Sequence, residues 1–264
     1  MNIFDFIPKE AWDYFKAKGL KTTFSYMDMV KYEHDKAFTV AKLMDIDLLS
    51  FVQEQVEKAL VEGLTFQEFQ MNIKSRLQEA GWWGEKDMKD PLTGKIIKSQ
   101  LGSASRLYTI FDTNLKTSYA KGQIEGIEAY SDTAPYLLYT AILDARTRPL
   151  HREWDKIVLR YDDPWWKTHY PPCGYRCRCG VIQITEEEVA ELGLKISGKA
   201  PNNGTYDWKN PRTGENLKIP MGTDPLFDKN IKNVDNQILN ETINSLHGEL
   251  GRQAKKWLKK NEKN

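Results

Sequence analysis

Tyr136-Leu137-Leu138-Tyr139-Thr140-Ala141-Ile142 is where the hydrophobic pattern of this chain changes period. Before it, apolar residues recur at three- and four-residue steps, as they do along one face of a helix. Here strand-forming residues run together, and Ile157-Val158-Leu159 and Val181-Ile182-Gln183-Ile184 do the same farther on. Pro149, Pro164 and Pro171-Pro172 lie between these runs and predict stiff, irregular connections. A helical first half followed by a small β module predicts an α+β fold.

Upstream, Leu107, Ile110/Phe111, Leu115 and Ser118/Tyr119 form one face of a helix expected over about Ser103 to Tyr130. Thr65-Phe66-Gln67-Glu68 is a capping box that opens a helix running to about Ala80, where Gly81-Trp82-Trp83-Gly84 stops it. Met44, Leu48/Leu49, Val52, Val56 and Ala59/Leu60 predict another helix from about Lys36, closed by Gly63. Asp90-Pro91-Leu92-Thr93-Gly94 is turn chemistry and predicts an exposed loop. Near the start, Pro8 opens a short helix whose apolar stripe is Ala11, Trp12, Phe15 and Leu20. Downstream, Thr185-Glu186-Glu187-Glu188 caps another short helix. Turns at Pro201-Asn202-Asn203-Gly204 and Asn210-Pro211-Arg212-Thr213-Gly214-Glu215 then punctuate an extended tail, with a last helix expected over about Val234 to Lys260. The organisation expected is an arm (1–35), a helical region (36–134), a small β module with a cysteine knuckle (135–196) and an extended C-terminal tail (197–264).

The chain has 264 residues, 28% charged and 11% aromatic, with eight tryptophans, which excludes a chain disordered throughout. Net charge is +1, so any attraction to nucleic acid must come from a local patch. No apolar run approaches the roughly 20 residues that span a bilayer. The opening Met1-Asn2-Ile3-Phe4-Asp5-Phe6 lacks the features of a signal peptide, so a cytoplasmic start is expected.

All three cysteines, Cys173, Cys177 and Cys179, fall within seven residues. A secreted disulfide scaffold would spread an even number along the chain, so the cluster reads as metal ligands or as three thiols with no shared role. His151 and His169 stand just upstream, within the same 29 residues. Three thiols and two imidazoles offer one ligand more than a closed tetrahedral zinc site needs. Gly174 and Gly180 permit tight turns, and Arg176 and Arg178 would favour the thiolate form of their neighbours.

His151-Arg152-Glu153 followed by Pro172-Cys173 approaches the zinc-deaminase pattern, but three residues, not two, separate Cys173 from Cys177. Cys179 also leads into a strand-like run instead of sitting at a helix start. No phosphate-binding glycine loop, G-x-S-x-G or H-E-x-x-H is present, and the expectation is that the chain is not an enzyme. A toxin-like metal-dependent enzyme, nuclease or deaminase, is the alternative. A simple DNA-binding module is another, since Arg252, Lys255, Lys256, Lys259 and Lys260 make the last helix basic and able to neutralise phosphates without reading sequence.

Four blocks stand in order: Asp144-Ala145-Arg146-Thr147-Arg148-Pro149-Leu150-His151, Asp162-Asp163-Pro164-Trp165-Trp166, His169-Tyr170-Pro171-Pro172 and Gly174-Tyr175-Arg176-Cys177-Arg178-Cys179. Together they resemble the core of the Mu F-like minor head proteins, a phage head morphogenesis family. The likeness extends to Ala37–Ala41, Gly81–Gly84, Arg106–Leu115 and Trp208–Glu215, covering roughly residues 8 to 225. The resemblance implies a virion head protein of a phage or prophage, assembled in the bacterial cytoplasm. Its implied partners are the portal and other head proteins, and its implied role is head morphogenesis and DNA packaging or delivery; the basic last helix adds double-stranded DNA as a non-specific partner. It also implies a ligand set for structural zinc of His151, His169, Cys177 and Cys179. Cys173 is the alternative ligand, because it stands where the Mu-like branch carries asparagine.

Overall fold

The computed structural model describes residues 9–29 and 33–227. Pro8, the helix expected after Val234 and the basic residues Arg252, Lys255, Lys256, Lys259 and Lys260 lie outside the described residues.

The described residues open with α1 (Lys9–Lys16), β1 (Gly19–Leu20), a 3-10 turn at Tyr26–Asp28, α2 (Glu33–Lys36) and β2 (Ala37–Phe38), with β1 and β2 paired in parallel. The two long helices α3 (Ile46–Glu62) and α4 (Phe66–Glu79) follow. The helix expected from about Lys36 therefore begins only at Ile46. Asp45 caps it, accepting from the amides of Asp47 and Leu48 at 2.9 Å each, and Lys42 ahead of it has φ 67, which no right-handed helix contains. Met44 accordingly lies outside the helix and is 48% exposed. The capping box at Thr65 forms as its residues require, with the Thr65 hydroxyl and the Glu68 carboxylate each bonding the other's amide.

The segment after α4 is more ordered than its composition suggests. β3 (Glu85–Lys89) and β4 (Ile96–Gln100) form an antiparallel hairpin around the expected turn. Its strands carry Glu85, Lys86, Asp87, Lys89 and Lys98 and bury only Ser99, so no apolar alternation marks them. Turn chemistry closes the hairpin: the Asp90 side chain accepts from the Leu92 amide at 2.9 Å and its carbonyl from Gly94 at 2.8 Å.

Helix α5 (Ala104–Ala129) matches the span read from the sequence. It packs with α1, α3 and α4 around a core that includes Phe15, Leu49, Val56, Leu60, Phe69, Ile73, Leu77 and Leu107. The β module follows: β5 (Tyr136–Thr140), α6 (Pro149–Glu153), β6 (Val158–Arg160), α7 (Trp166–His169), β7 (Gly180–Ile184) and α8 (Glu186–Glu191). Its three strands are antiparallel in the order β6-β5-β7, with Tyr139 opposite Val181 and Thr140 opposite Gly180.

Helix α5 is the spine on which this module rests. Lys116 Nζ donates to the Cys177 carbonyl at 2.8 Å, Gln123 Nε2 to the Val181 carbonyl at 2.8 Å, and Gln183 Nε2 back to the Ile127 carbonyl at 2.9 Å. Successive turns of the helix thus hold successive points of the chain entering and forming β7.

Within the tail, β8 (Thr205–Lys209) and β9 (Asn216–Pro220) make a second hairpin. Asn210 closes it as Asp90 closes the first, its side chain accepting from Arg212 N at 2.9 Å and its carbonyl from Gly214 at 2.8 Å. Arg212 then ties three parts of the chain together, pairing with Asp28 and with Asp90 of the first hairpin turn. The Arg212 hydrogen bond holds the Asp90 carboxyl down at about 2, and the two carboxylates together keep Arg212 firmly charged. No helix among the described residues is long and apolar enough to cross a membrane.

Candidate metal centre

Pro149 starts α6 at its first turn, where a missing amide hydrogen costs nothing, and one turn of helix brings His151 inward to 1% exposure. Cys177 and Cys179 lie on the loop that enters β7. The residue that takes the left-handed conformation in this knuckle is Arg176 (φ 58), whereas Gly174 and Gly180 have ordinary backbone angles. Gly174 is needed for closeness instead: a Cβ there would sit 2.2 Å from the Asp224 carboxylate. That carboxylate braces the loop by accepting from the Tyr175 amide at 3.0 Å and from Arg148 at 2.8 Å.

The fold brings three of the five candidate ligands together. His151, Cys177 and Cys179 present donor atoms that all lie within 4.8 Å of one another, a group able to hold a metal ion. His151 Nδ1 is 3.7 Å from Cys177 Sγ and 3.4 Å from Cys179 Sγ. The other ring nitrogen, Nε2, is 2.8 Å from the Gly222 carbonyl. A carbonyl only accepts, so Nε2 donates to it, and this bond leaves Nδ1 facing the two sulfurs. Metal-binding histidines are commonly oriented in this way, through a hydrogen bond from the second nitrogen.

His169 and Cys173 are not part of this group. His169 lies flat on Trp165 (4.6 Å between centroids, 2° between planes) and meets Trp154 edge-on at 4.9 Å. Its Nδ1 faces the Thr168 hydroxyl at 2.7 Å and its Nε2 the Met221 carbonyl at 3.3 Å. Burial lowers its pKa, favouring the neutral ring. Cys173 is 1% exposed, and its thiol donates to the His169 carbonyl at 3.2 Å. The resemblance-based set of His151, His169, Cys177 and Cys179 thus divides, with one histidine among the donors and the other in an aromatic wall.

That wall is built from residues whose role the sequence did not reveal. Trp154 stacks on His151 at 5.1 Å and 20°, Trp165 meets Trp154 edge-on at 5.3 Å, and Tyr139 on the central strand packs against both tryptophans and His151. The Tyr139 hydroxyl is buried with no partner at ordinary hydrogen-bond geometry. Burial, and then the charge of the three nearby thiols, keeps it protonated. The two clustered thiols share their acidity unequally. Cys177 is lowered by its hydrogen bond with Cys179 and by His151, while Cys179 is raised by the same partnership. Arg178, named from the sequence as a thiolate stabiliser, is held in a bidentate pair by Asp144 and also feels the charge of Cys179, while Arg176 hydrogen-bonds Ser105. Only the apolar character of the tryptophans and tyrosine, not their convergence on His151, was visible in the residues.

With the geometry in place, the chain can be set beside known proteins. The family described as Phage Mu protein F like protein matches residues 50–182, from inside α3 to inside β7. The chain is 42% identical over 190 residues, 72% of its length, to "Putative capsid assembly protein F" of Escherichia phage Mu, covering 43% of that protein. It is 35% identical over 178 residues, 67% of its length, to the "Mu-like prophage FluMu F protein" of Haemophilus influenzae (strain ATCC 51907 / DSM 11121 / KW20 / Rd), covering 42% of it. The chain thus spans less than half the length of these relatives. No solved structure matches it. The matched span contains α6, the knuckle and most of β7, and so all three grouped donors, and this chain belongs to the Phage Mu protein F like family.

Proposed function

We propose that this chain is a phage or prophage head-assembly protein whose β module is tied together by one structural zinc ion bound to His151, Cys177 and Cys179. The head role is carried by the 42% identity to a protein named for capsid assembly. Its partners on this reading are other head proteins, the portal among them, and it acts in head morphogenesis and the packaging or delivery of DNA.

The zinc is carried by spacing. Zinc lies about 2.0 Å from a histidine nitrogen and about 2.3 Å from a thiolate, so tetrahedral angles put nitrogen and sulfur about 3.5 Å apart. The two distances here are 3.4 and 3.7 Å. The ion would join α6 to the knuckle across 26 residues of chain, staples of this kind being what small sheets need. A structural role is supported by the place of the ion, between α6 and the knuckle, and by Glu153, the general acid/base of the deaminase comparison, which is exposed to solvent.

Purified protein should carry about one zinc per chain by elemental analysis. In a lysogen carrying the gene, deletion should abolish filled heads, and wild type but not Cys177→Ala should restore them. Normal titres of filled, infectious heads after deletion would overturn the head role, and metal-free protein purified without chelator would overturn the zinc.

A further inference from the structure

We infer that the fourth ligand of this metal is an anionic oxygen from outside the fold, held by a collar of arginines; this rests on the metal-centre reading above. The three donors border a cavity of about 10 Å³ whose other walls include Arg146, Arg148, Arg176 and Arg178. The Arg146 side chain is 79% exposed, so the cavity reaches solvent. About 10–15 Å³ holds one water-sized atom, so an entering ligand places a single atom there while the rest of it lies among the guanidinium groups.

Charge decides what kind of atom. Arg146 and Arg178 share Asp144, and Arg148 pairs with Asp224. Among the described residues Arg176 has no carboxylate; it hydrogen-bonds Ser105 Oγ at 2.6 Å and lies over the Tyr108 ring at 5.6 Å. Four cations therefore face two carboxylates, and a divalent ion with two thiolates adds no net charge. The surplus of two positive charges favours an anion over water, and planar guanidinium groups suit the oxygens of phosphate.

The two remaining candidates are directed elsewhere, although Cys173 lies close enough to bear on the Cys179 thiol. His169 directs its nitrogens to the Met221 carbonyl and the Thr168 hydroxyl, and Cys173 bonds the His169 carbonyl. Neither borders the cavity.

Loading the full chain with Co²⁺ makes the site visible, because the ion's ligand-field bands report a change of ligand and its sulfur charge-transfer band reports bound thiolates. Inorganic phosphate, titrated at constant ionic strength against chloride, should shift the ligand-field bands saturably. Arg176→Gln should weaken that response about tenfold, the effect of losing one charge-assisted hydrogen bond. Arg160→Gln, outside the cavity, should not, and Cys173→Ser should leave both bands in place. Bands that ignore phosphate, or a charge-transfer band that falls in Cys173→Ser, would overturn the inference, the second result assigning the place to Cys173. Failure to take up cobalt at all would instead overturn the metal centre itself, and the inference with it.

Discussion

Gly222 supplies the carbonyl that orients His151, and its own surroundings make it a sharp test of that arrangement. It has φ 88, and a Cβ there would lie 2.2 Å from Trp154 Cη2 and 2.9 Å from Cζ2. Trp154 cannot yield: it is 1% exposed, wedged edge-on against Tyr139 and Trp165, and its indole N–H reaches Asn203 Oδ1 at 3.2 Å. Gly222→Ala therefore carries two costs, about 1–2 kcal/mol for the left-handed backbone and about 1–3 kcal/mol for forcing backbone away from a packed ring. Gly214→Ala is the matched control. Its φ is +77 and nothing lies within 4 Å of the added carbon, so it carries only the first cost. At about 2–4 °C per kcal/mol for a domain of this size, Gly222→Ala should melt about 2–12 °C below Gly214→Ala. Displacing the carbonyl should also loosen His151, weakening zinc binding about 10- to 100-fold in competition with a chromophoric chelator, while Gly214→Ala binds as wild type. Equal melting of the two variants with unchanged zinc affinity would refute both the packing argument and the orienting role of the carbonyl.

Arg212→Met should lower the melting temperature and let the Asp90 carboxyl, followed by NMR titration, return from about 2 toward its ordinary 3.8. Because folding depresses that carboxyl, its contribution is complete above 3.8 and lost as pH falls through about 2; the variant should show a shallower acid loss over this window. His169 and His34 are both lowered from 6.5, chiefly by burial. The unfolded chain then protonates first, so metal-free protein should hold its full stability above about pH 6.5 and melt earlier as pH falls below it. A melting temperature that rises between about pH 7.5 and 5.5 would contradict this.

Much of the architecture lies in local signals of the chain. Thr65 with Glu68, and the 3.6-residue stripe beginning at Leu107, specify α4 and α5 without help from distant residues, because caps and amphipathic faces are made by neighbours in sequence. Asp90-Pro91-Leu92-Thr93-Gly94 and Asn210-Pro211-Arg212-Thr213-Gly214 were legible as turns for the same reason. Their flanking strands were not: those of the first hairpin are charged and nearly all exposed, and their order comes from backbone pairing across the turn. The similarity of the two turns was there to be compared, but the residue joining them, Arg212, meets Asp28 and Asp90 across 184 and 122 residues of chain. The same division runs through the metal centre. Clustered thiols with two histidines upstream pointed to metal chemistry, since that depends on residue type and proximity in sequence. Which histidine serves as donor was decided only by the tertiary structure. His151 and His169 are alike as residues, but the carbonyl of Gly222, 71 residues away, turns one ring toward the sulfurs, while Trp165 stacks the other into the wall. A ligand's direction is set by what packs behind it, and those contacts exist only once distant segments have come together.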